Sequence, residues 1–133
     1  MRALLLAAPL LLAGCVASWP TGSYEADISD PDAAVLAPAI AHYVAATVHR
    51  GEAVHVVPAQ PKDTLAQPLT AALNRAAIRQ APDGRKLQYV ADAWPGGGVL
   101  LRVSIDDREG ASQYFTRVNN GLTPSGPMMV AVP

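Results

Sequence analysis

Residues 86–118 contain three runs in which apolar and polar side chains alternate, and this pattern constrains the fold more than any other feature. Alternation with a period of two gives a β-strand one apolar face and one polar face. The runs cover residues 86–94, 99–106 and 111–118, and turn-forming residues separate them. Because strands joined by short turns pair antiparallel, the C-terminal half is predicted to be a β-meander.

The faces and turns of this meander follow from the same pattern. In the first strand Leu87, Tyr89, Ala91 and Ala93 are predicted to point inward, with Gln88 and Asp92 on the opposite face. In the second strand the inward residues are Val99, Leu101, Val103 and Ile105. Turns are predicted at residues 95–98, 107–110 and 119–121. Residues 128–132, bounded by prolines, are predicted to add a last edge strand.

Two upstream segments carry apolar residues at helical spacing. The first helix is predicted to begin with Asp30 as its cap and Pro31 in its first turn, to be kinked at Pro38 and to end at Gly51. Its inward face comprises Leu36, Ile40, Tyr43, Val44, Thr47 and Val48. A short strand is predicted at residues 53–57.

The second helix is predicted to start at Thr64 or at Pro68 and to stop before Pro82. Its inward residues are Leu65, Leu69, Leu73 and one of Ala76 and Ala77. Two helices packed on one face of a small mixed, mostly antiparallel sheet would bury both apolar helix faces. The sequence therefore predicts a single α+β domain over residues 30–133, built as a two-layer sandwich.

Residues 1–14 have the layout of a bacterial secretory signal peptide. Arg2 is followed by a short apolar run that ends at Leu12, interrupted only by Pro9. A membrane-spanning helix needs about 20 apolar residues, so this run is too short to be one. The segment is therefore predicted to direct export and then to be removed.

The four residues from Leu12 to Cys15 resemble the lipobox of bacterial lipoproteins. This resemblance implies that a signal peptidase cleaves between Gly14 and Cys15, and that Cys15 is the lipid-attachment residue. The alternative interpretation is an ordinary buried cysteine next to an ordinary signal peptide. Cys15 is the only cysteine of the chain, so no disulfide competes for it.

Two or three fatty chains on one residue would hold the mature protein at a membrane, since one chain gives only marginal binding. Val16 is not the aspartate that commonly retains lipoproteins in the inner membrane. We therefore expect an outer-membrane anchor facing the periplasm, with the inner membrane as the alternative. Residues 15–29 lack a sustained period and are predicted to form the lipidated N-terminus and a flexible tether.

Composition and motifs argue against catalysis and against nucleic-acid binding. The chain has a formal net charge of −1 and no basic run. His42, His49 and His55 lack the close spacing typical of a zinc site, and no Gly-x-Ser-x-Gly motif is present. Asp106 and Asp107 are interpreted as a solvated turn, and residues 96–98 as a hairpin rather than a phosphate loop. No enzyme activity, metal, cofactor or small-molecule substrate is predicted.

The order of the segments along the mature chain resembles the TrbH family of conjugal transfer lipoproteins. The resemblance lies in the lipobox, the short tether, and residues 28–34, 63–65, 68–73, 87–90, 97–103 and 121–127. It implies a structural subunit of a conjugative type IV secretion apparatus that stabilises the outer-membrane core beside other channel subunits. Cys15 is the one functional residue that carries over.

Two other functions remain open at this point. The chain could be an envelope lipoprotein that binds or regulates a cell-wall or other periplasmic protein. It could also be a periplasmic enzyme or ligand carrier, which would require a deep pocket with converging polar groups. For the structural subunit, we expect residues 16–24 or the edge strand at residues 128–132 to contact partners, because exposed edges accept added strands.

Overall fold

The structure, a computed structural model, describes residues 22–131. In that range the chain forms two helices and eight strands, in the order β1 (Tyr24–Glu25), α1 (Asp30–Thr47), β2 (Ala53–Val56), α2 (Ala66–Arg75), β3 (Arg79–Gln80), β4 (Arg85–Trp94), β5 (Gly98–Ile105), β6 (Arg108–Val118), β7 (Gly121–Pro124) and β8 (Met129–Val130). The predicted α+β class is confirmed.

The strands form one mixed sheet with the order β3-β2-β4-β5-β6-β7. Strands β1 and β2 both run parallel to β4, and β3 runs parallel to β2. Strands β4 to β6 form the predicted antiparallel meander, and β7, which was not predicted, extends it. Strand β8 pairs antiparallel with β6. The sheet therefore has a parallel part near the helical connections and an antiparallel part built from hairpins.

Helix α1 begins one residue earlier than predicted, because Ser29 rather than Asp30 caps it. The Ser29 hydroxyl accepts a hydrogen bond from the Asp32 amide at 3.2 Å, and the Asp32 carboxylate accepts one from the Ser29 amide at 3.4 Å. This reciprocal capping box satisfies two amide groups that the first helical turn leaves unpaired. The helix continues through Pro38 and ends at Thr47, before the predicted end at Gly51.

Helix α2 begins between the two predicted starting points. It runs from Ala66, with Pro68 in the first turn, where a missing amide donor costs little. Leu65, Leu69 and Leu73 are fully buried, as predicted. The last predicted inward position is wrong: Ala76 and Ala77 are exposed, and Ala72 is buried instead. The helix ends at Arg75, and the chain turns at Ala77 into β3.

The core lies between the helices and one face of the sheet. Buried residues of α1 and α2 join Leu87, Tyr89 and Ala91 of β4 in a single apolar cluster. The predicted inward residues of β5 belong to the same cluster, as does Phe115 of β6. Ala93 is exposed, contrary to the prediction, because it lies close to the end of β4. The face of the sheet that carries Val90, Trp94 and their register partners points away from the core, and we call it the outer face.

The β5–β6 hairpin turn lies at a different position from the one predicted. The β5–β6 turn consists of Asp106 and Asp107, with φ angles of 57° and 61°, so β6 begins within the segment predicted as the turn. The next turn, at Asn119 and Asn120, lies where it was predicted and has φ angles of 50° and 65°. Aspartate and asparagine tolerate this left-handed conformation better than most residues. The predicted edge strand is present as β8.

The described part of the segment predicted as a tether packs on the domain. Tyr24 and Glu25 pair with β4, and the side chains of Ser23, Glu25 and Ile28 are buried. The remaining tether residues, 15–21, lie outside the described range. The folded part of the chain therefore begins earlier than residue 30.

Candidate functional site

The predicted attachment residues, Gly14 and Cys15, lie outside the described residues. The nearest described feature is the segment of residues 22–28, which connects them to the domain. We call residues 22–28 the N-terminal segment. Its contacts determine how firmly the N-terminal end of the chain is attached to the sheet.

Backbone and side-chain hydrogen bonds hold the N-terminal segment along β4. The Ser23 hydroxyl accepts from the Tyr89 amide at 3.1 Å, and the Ala26 amide donates to the Ala91 carbonyl at 2.8 Å. With its amide oriented to satisfy both neighbours, Gln88 accepts from the Gly22 amide at 2.9 Å and donates to Asp107 at 3.0 Å. Gln88 was predicted to lie on the face opposite the core, and it does, but these contacts leave it fully buried.

Glu25 joins the N-terminal segment to the start of α2. Its carboxylate accepts hydrogen bonds from the amides of Thr64 and Leu65, the latter at 3.2 Å. Helix α2 has no side-chain cap from its own Leu65, so Glu25 supplies the acceptors from a distant part of the chain. A negative charge at a helix N-terminus is also favoured by the helix dipole. Glu25 is only 4% exposed, so this cap is shielded from water.

Asp63 and Tyr89 add a second polar contact beside this cap. The Tyr89 hydroxyl donates a hydrogen bond to the Asp63 carboxylate. Burial raises the pKa of Tyr89 far above its usual range, and the hydrogen bond to Asp63 adds to this effect. The hydroxyl therefore remains a donor over the whole physiological pH range. We call Ser23, Glu25, Asp63 and Tyr89 the docking cluster; its hydrogen bonds fix the N-terminal segment to β4 and to α2.

The outer face exposes a group of large apolar side chains. Tyr24 pairs with Val90, and Met129 pairs with Ser112, so both lie on this face with Trp94. Trp94 is 41% exposed and Met129 56%. Tyr114 contacts Trp94 edge-on, with ring centroids 4.7 Å apart and an interplanar angle of 66°. We call Tyr24, Trp94, Tyr114 and Met129 the aromatic face.

A scan of known protein families matches residues 18–132 to the family described as conjugal transfer protein TrbH. The chain belongs to the TrbH family. This match covers most of the chain and confirms the resemblance seen in the sequence. No curated protein and no solved structure matches the chain significantly. The TrbH family makes this protein a component of conjugal transfer.

The residues that the sequence raised as alternative sites remain separate in this TrbH-family chain. His42 lies in α1, His49 follows the end of that helix, and His55 lies in β2; all three are exposed. Among residues 22–131, no group of three histidine, cysteine, aspartate or glutamate side chains could hold a metal ion. Neither described helix is long and apolar enough to cross a membrane.

Asp106 and Asp107 form a turn, as the sequence indicates, but each carboxylate has a basic partner. Asp106 accepts from the Arg85 guanidinium at 2.8 Å and from the Lys86 amide at 3.0 Å. The hydrogen bond from Arg85 lowers the pKa of Asp106, and burial partly opposes this shift. Asp107 lies 2.7 Å from the Lys86 ammonium. Residues 95–97 form the β4–β5 hairpin turn, with positive φ angles at Gly96 and Gly97, and Gly98 already belongs to β5.

Sequence reasoning missed the docking cluster. The hydrogen bond from Thr64 to Glu25 joins residues 39 positions apart, and no local pattern signals such a contact. The capping box was within reach, because serine followed three residues later by an acidic residue is a recognised N-terminal signature. Ser29 and Asp32 have this spacing.

Proposed function

We propose that this TrbH-family chain is a lipid-anchored structural subunit of a conjugative type IV secretion apparatus. In this proposal Cys15 carries the lipid after cleavage behind Gly14, and the domain faces the periplasm from the outer membrane. Its role is to stabilise the outer-membrane core through contacts with other channel subunits. The family match over residues 18–132, which begins three residues after Cys15, is the observation that carries the proposal.

The docking cluster supports an anchoring role. Six residues lie between Cys15 and Gly22, so seven chain steps join them, and an extended chain of seven steps reaches at most about 25 Å. From Gly22 onward the chain is fixed to β4 and α2 by Ser23 and Glu25. An anchor on Cys15 would therefore hold the whole domain close to the bilayer.

The edge formed by β7 and β8 is the proposed contact for another subunit. The Ala131 amide donates to the Gly110 carbonyl, so residues 129 and 131 point their backbone groups toward β6. Because backbone groups alternate along a strand, the amide of Val130 points away from β6. That amide is available for an added strand.

The first test is purification of the tagged protein from outer membranes of cells that carry the whole conjugative plasmid. We expect the secretion-channel subunits to co-purify, and a fatty-acylated N-terminal peptide to be identified by mass spectrometry. The paired variant Cys15→Ser should lose the acyl groups and recover less of the channel subunits. Recovery alone, or with cell-wall enzymes, would contradict the proposal and favour the envelope-lipoprotein alternative.

A second comparison tests the edge. Val130→Pro removes the outward amide without removing a hydrogen bond to β6, whereas Val130→Ala shortens the side chain and keeps the amide. Reduced recovery of channel subunits with Val130→Pro, but not with Val130→Ala, is expected. Equal recovery with both variants would show that β8 does not accept a partner strand.

A further inference from the structure

The aromatic face contains most of the large apolar side chains that the described chain leaves exposed. These exposed residues are Tyr24, Trp94, Val118, Met129 and Val130. Of the five, all except Val130 lie on the outer face, since Val118 follows Tyr114 at the alternate positions of β6. The helices cover the opposite face of the sheet. An exposed apolar surface of this kind marks a site of contact with a membrane or with another molecule.

The N-terminal segment enters the domain at the same face. The Gly22 amide donates to the side chain of Gln88, and Gln88 shares the outer face of β4 with Val90 and Trp94. The chain that leads to Cys15 therefore joins the domain at the outer face, beside Tyr24 of the aromatic face. Strand β4 rises by about 20 Å between Gln88 and Trp94, which is the length of the face along the strand.

The side chains of the aromatic face are those that proteins place at a membrane surface. Tryptophan and tyrosine are enriched at the headgroup level, because their rings are apolar and their N–H or O–H groups can face water. The charged residues at the outward positions of β4 and β5 are Lys86, Asp92 and Arg102. Lys86 is paired with Asp107, so these four groups comprise two cations and two anions. This part of the face therefore carries no net negative charge that would repel anionic phospholipids.

We infer that the aromatic face rests on the lipid bilayer, with Trp94 and Tyr114 at the level of the phospholipid headgroups. This inference depends on the proposed acylation of Cys15. A lipid tether of seven residues keeps the face close to the surface, so a weak second contact is sufficient to orient the domain. The helices and the β7–β8 edge then remain accessible to other subunits.

The test uses the full-length lipidated protein in vesicles of phosphatidylethanolamine and phosphatidylglycerol. The chain contains two tryptophans, and Trp19→Phe leaves Trp94 as the single reporter. A fraction of phosphatidylcholine brominated near the headgroup end of its acyl chains quenches tryptophan that lies at the interface. We expect the emission of Trp94 to fall by about twofold relative to vesicles with unbrominated lipid, as for an interfacial ring.

A matched control places the reporter on the opposite side of the molecule. Ala71 lies on the exposed side of α2. In the variant Trp19→Phe, Trp94→Phe, Ala71→Trp, the new indole should show no quenching by the brominated lipid. Circular dichroism of both variants shows whether each retains the fold of the unaltered protein.

The remaining outcomes overturn the inference in different ways. If the protein floats with the vesicles but Trp94 is not quenched, the face is not at the membrane, although the anchor stands. If Trp94 is also shielded from acrylamide, a second copy or another protein segment covers the face instead. Equal quenching of both reporters would mean that no face is preferred. Protein that does not float with vesicles would refute the lipid anchor and, with it, this orientation.

Discussion

Asp32 and Arg117 form a two-point ion pair that joins the first turn of α1 to the end of β6. The two nitrogens Nη1 and Nη2 of Arg117 lie 3.0 and 2.9 Å from Oδ1 and Oδ2 of Asp32. The Asp32 side chain is only 3% exposed, whereas that of Arg117 is 29% exposed. Paired hydrogen bonds of this geometry fix both distance and orientation.

Arg117 also connects two turns at the same end of the sheet. Its Nε donates to the Gly97 carbonyl at 2.9 Å, and its Nη1 donates to the Asn120 carbonyl at 3.2 Å. One guanidinium therefore contacts the β4–β5 turn, the β6–β7 turn and the capping box of α1. Substitution of either partner should loosen this whole end of the domain.

The first prediction concerns the pH dependence of this ion pair. The hydrogen bond from Arg117 lowers the pKa of Asp32 below its usual 3.8, against the opposing effect of burial. Because the folded state favours the ionised carboxylate, the contribution to stability is present above about pH 4 and is lost as the pH falls below it. Asp32→Asn should lower the thermal unfolding midpoint at neutral pH by several degrees. The difference from the unaltered protein should shrink as the pH approaches 3.

Asp30→Asn is the matched control for this measurement. Asp30 is also in the first turn of α1, but it is exposed. Its charge interacts mainly with the helix dipole, so its substitution should have a smaller effect at neutral pH. A midpoint difference for Asp32→Asn that does not change between pH 7 and pH 3 would contradict the proposed role of its charge.

The second prediction concerns the cap that Glu25 provides for α2. Glu25→Ala removes both acceptors and leaves the amides of Thr64 and Leu65 without this partner. Loss of a helix cap costs about 1–2 kcal/mol, and urea unfolding at neutral pH measures this change. Hydrogen exchange should show a local effect, with faster exchange in the N-terminal segment and in the first turn of α2.

Asp27→Ala is the control that distinguishes the loss of the helix cap from a general effect of removing a negative charge. Asp27 lies in the same segment, but its side chain is fully exposed and its nearest cation, Lys62, is 3.9 Å away. Exposed pairs of this kind contribute little. Asp27→Ala should therefore leave both unfolding and exchange unchanged. If it destabilises the protein as much as Glu25→Ala, the cap is not the cause.

The antiparallel half of the fold was predictable because its signal is local. Strands β4 to β6 each contain at least eight residues, which is long enough to show an alternating pattern. The β5–β6 turn was misplaced because the turn-like composition continues to Gly110, while the conformations of Asp106 and Asp107 already reverse the chain. Composition indicated a turn in this region but not which two residues form it.

The short strands and the docking cluster depend on contacts that are distant in sequence. Strands β1 and β3 contain two residues each, so no period could reveal them. Gln88 is another example of a position that depends on distant contacts. Its polarity predicts exposure to solvent, but its side chain is buried and forms its hydrogen bonds with Gly22 and Asp107. The position of the N-terminal segment therefore could not be predicted from the sequence and is known only from the structure.

The third prediction concerns Gly110, where β6 lies against the Tyr43 side chain of α1. A register shift between Val103 and Ser104 of β5 leaves Gly110 as the extra residue of a β-bulge in β6. A Cβ atom at Gly110 would lie 2.5 Å from the Tyr43 hydroxyl and 2.5 Å from the Val103 carbonyl oxygen. Both contacts are too short, and the second involves the backbone of the neighbouring strand. Gly110→Ala should destabilise the domain by about 1–3 kcal/mol in urea unfolding.

Two further variants show which contact causes this loss. Gly126→Ala is the control, because a Cβ atom there would meet nothing within 4 Å, and it should leave stability nearly unchanged. Tyr43→Phe removes the hydroxyl contact but not the contact with the Val103 carbonyl. When combined with Gly110→Ala, it should recover only part of the loss. Full recovery of stability in this double variant would show that the Tyr43 hydroxyl alone limits the space. If the Gly110→Ala protein is as stable as the Gly126→Ala protein, the close packing of α1 on β6 is contradicted.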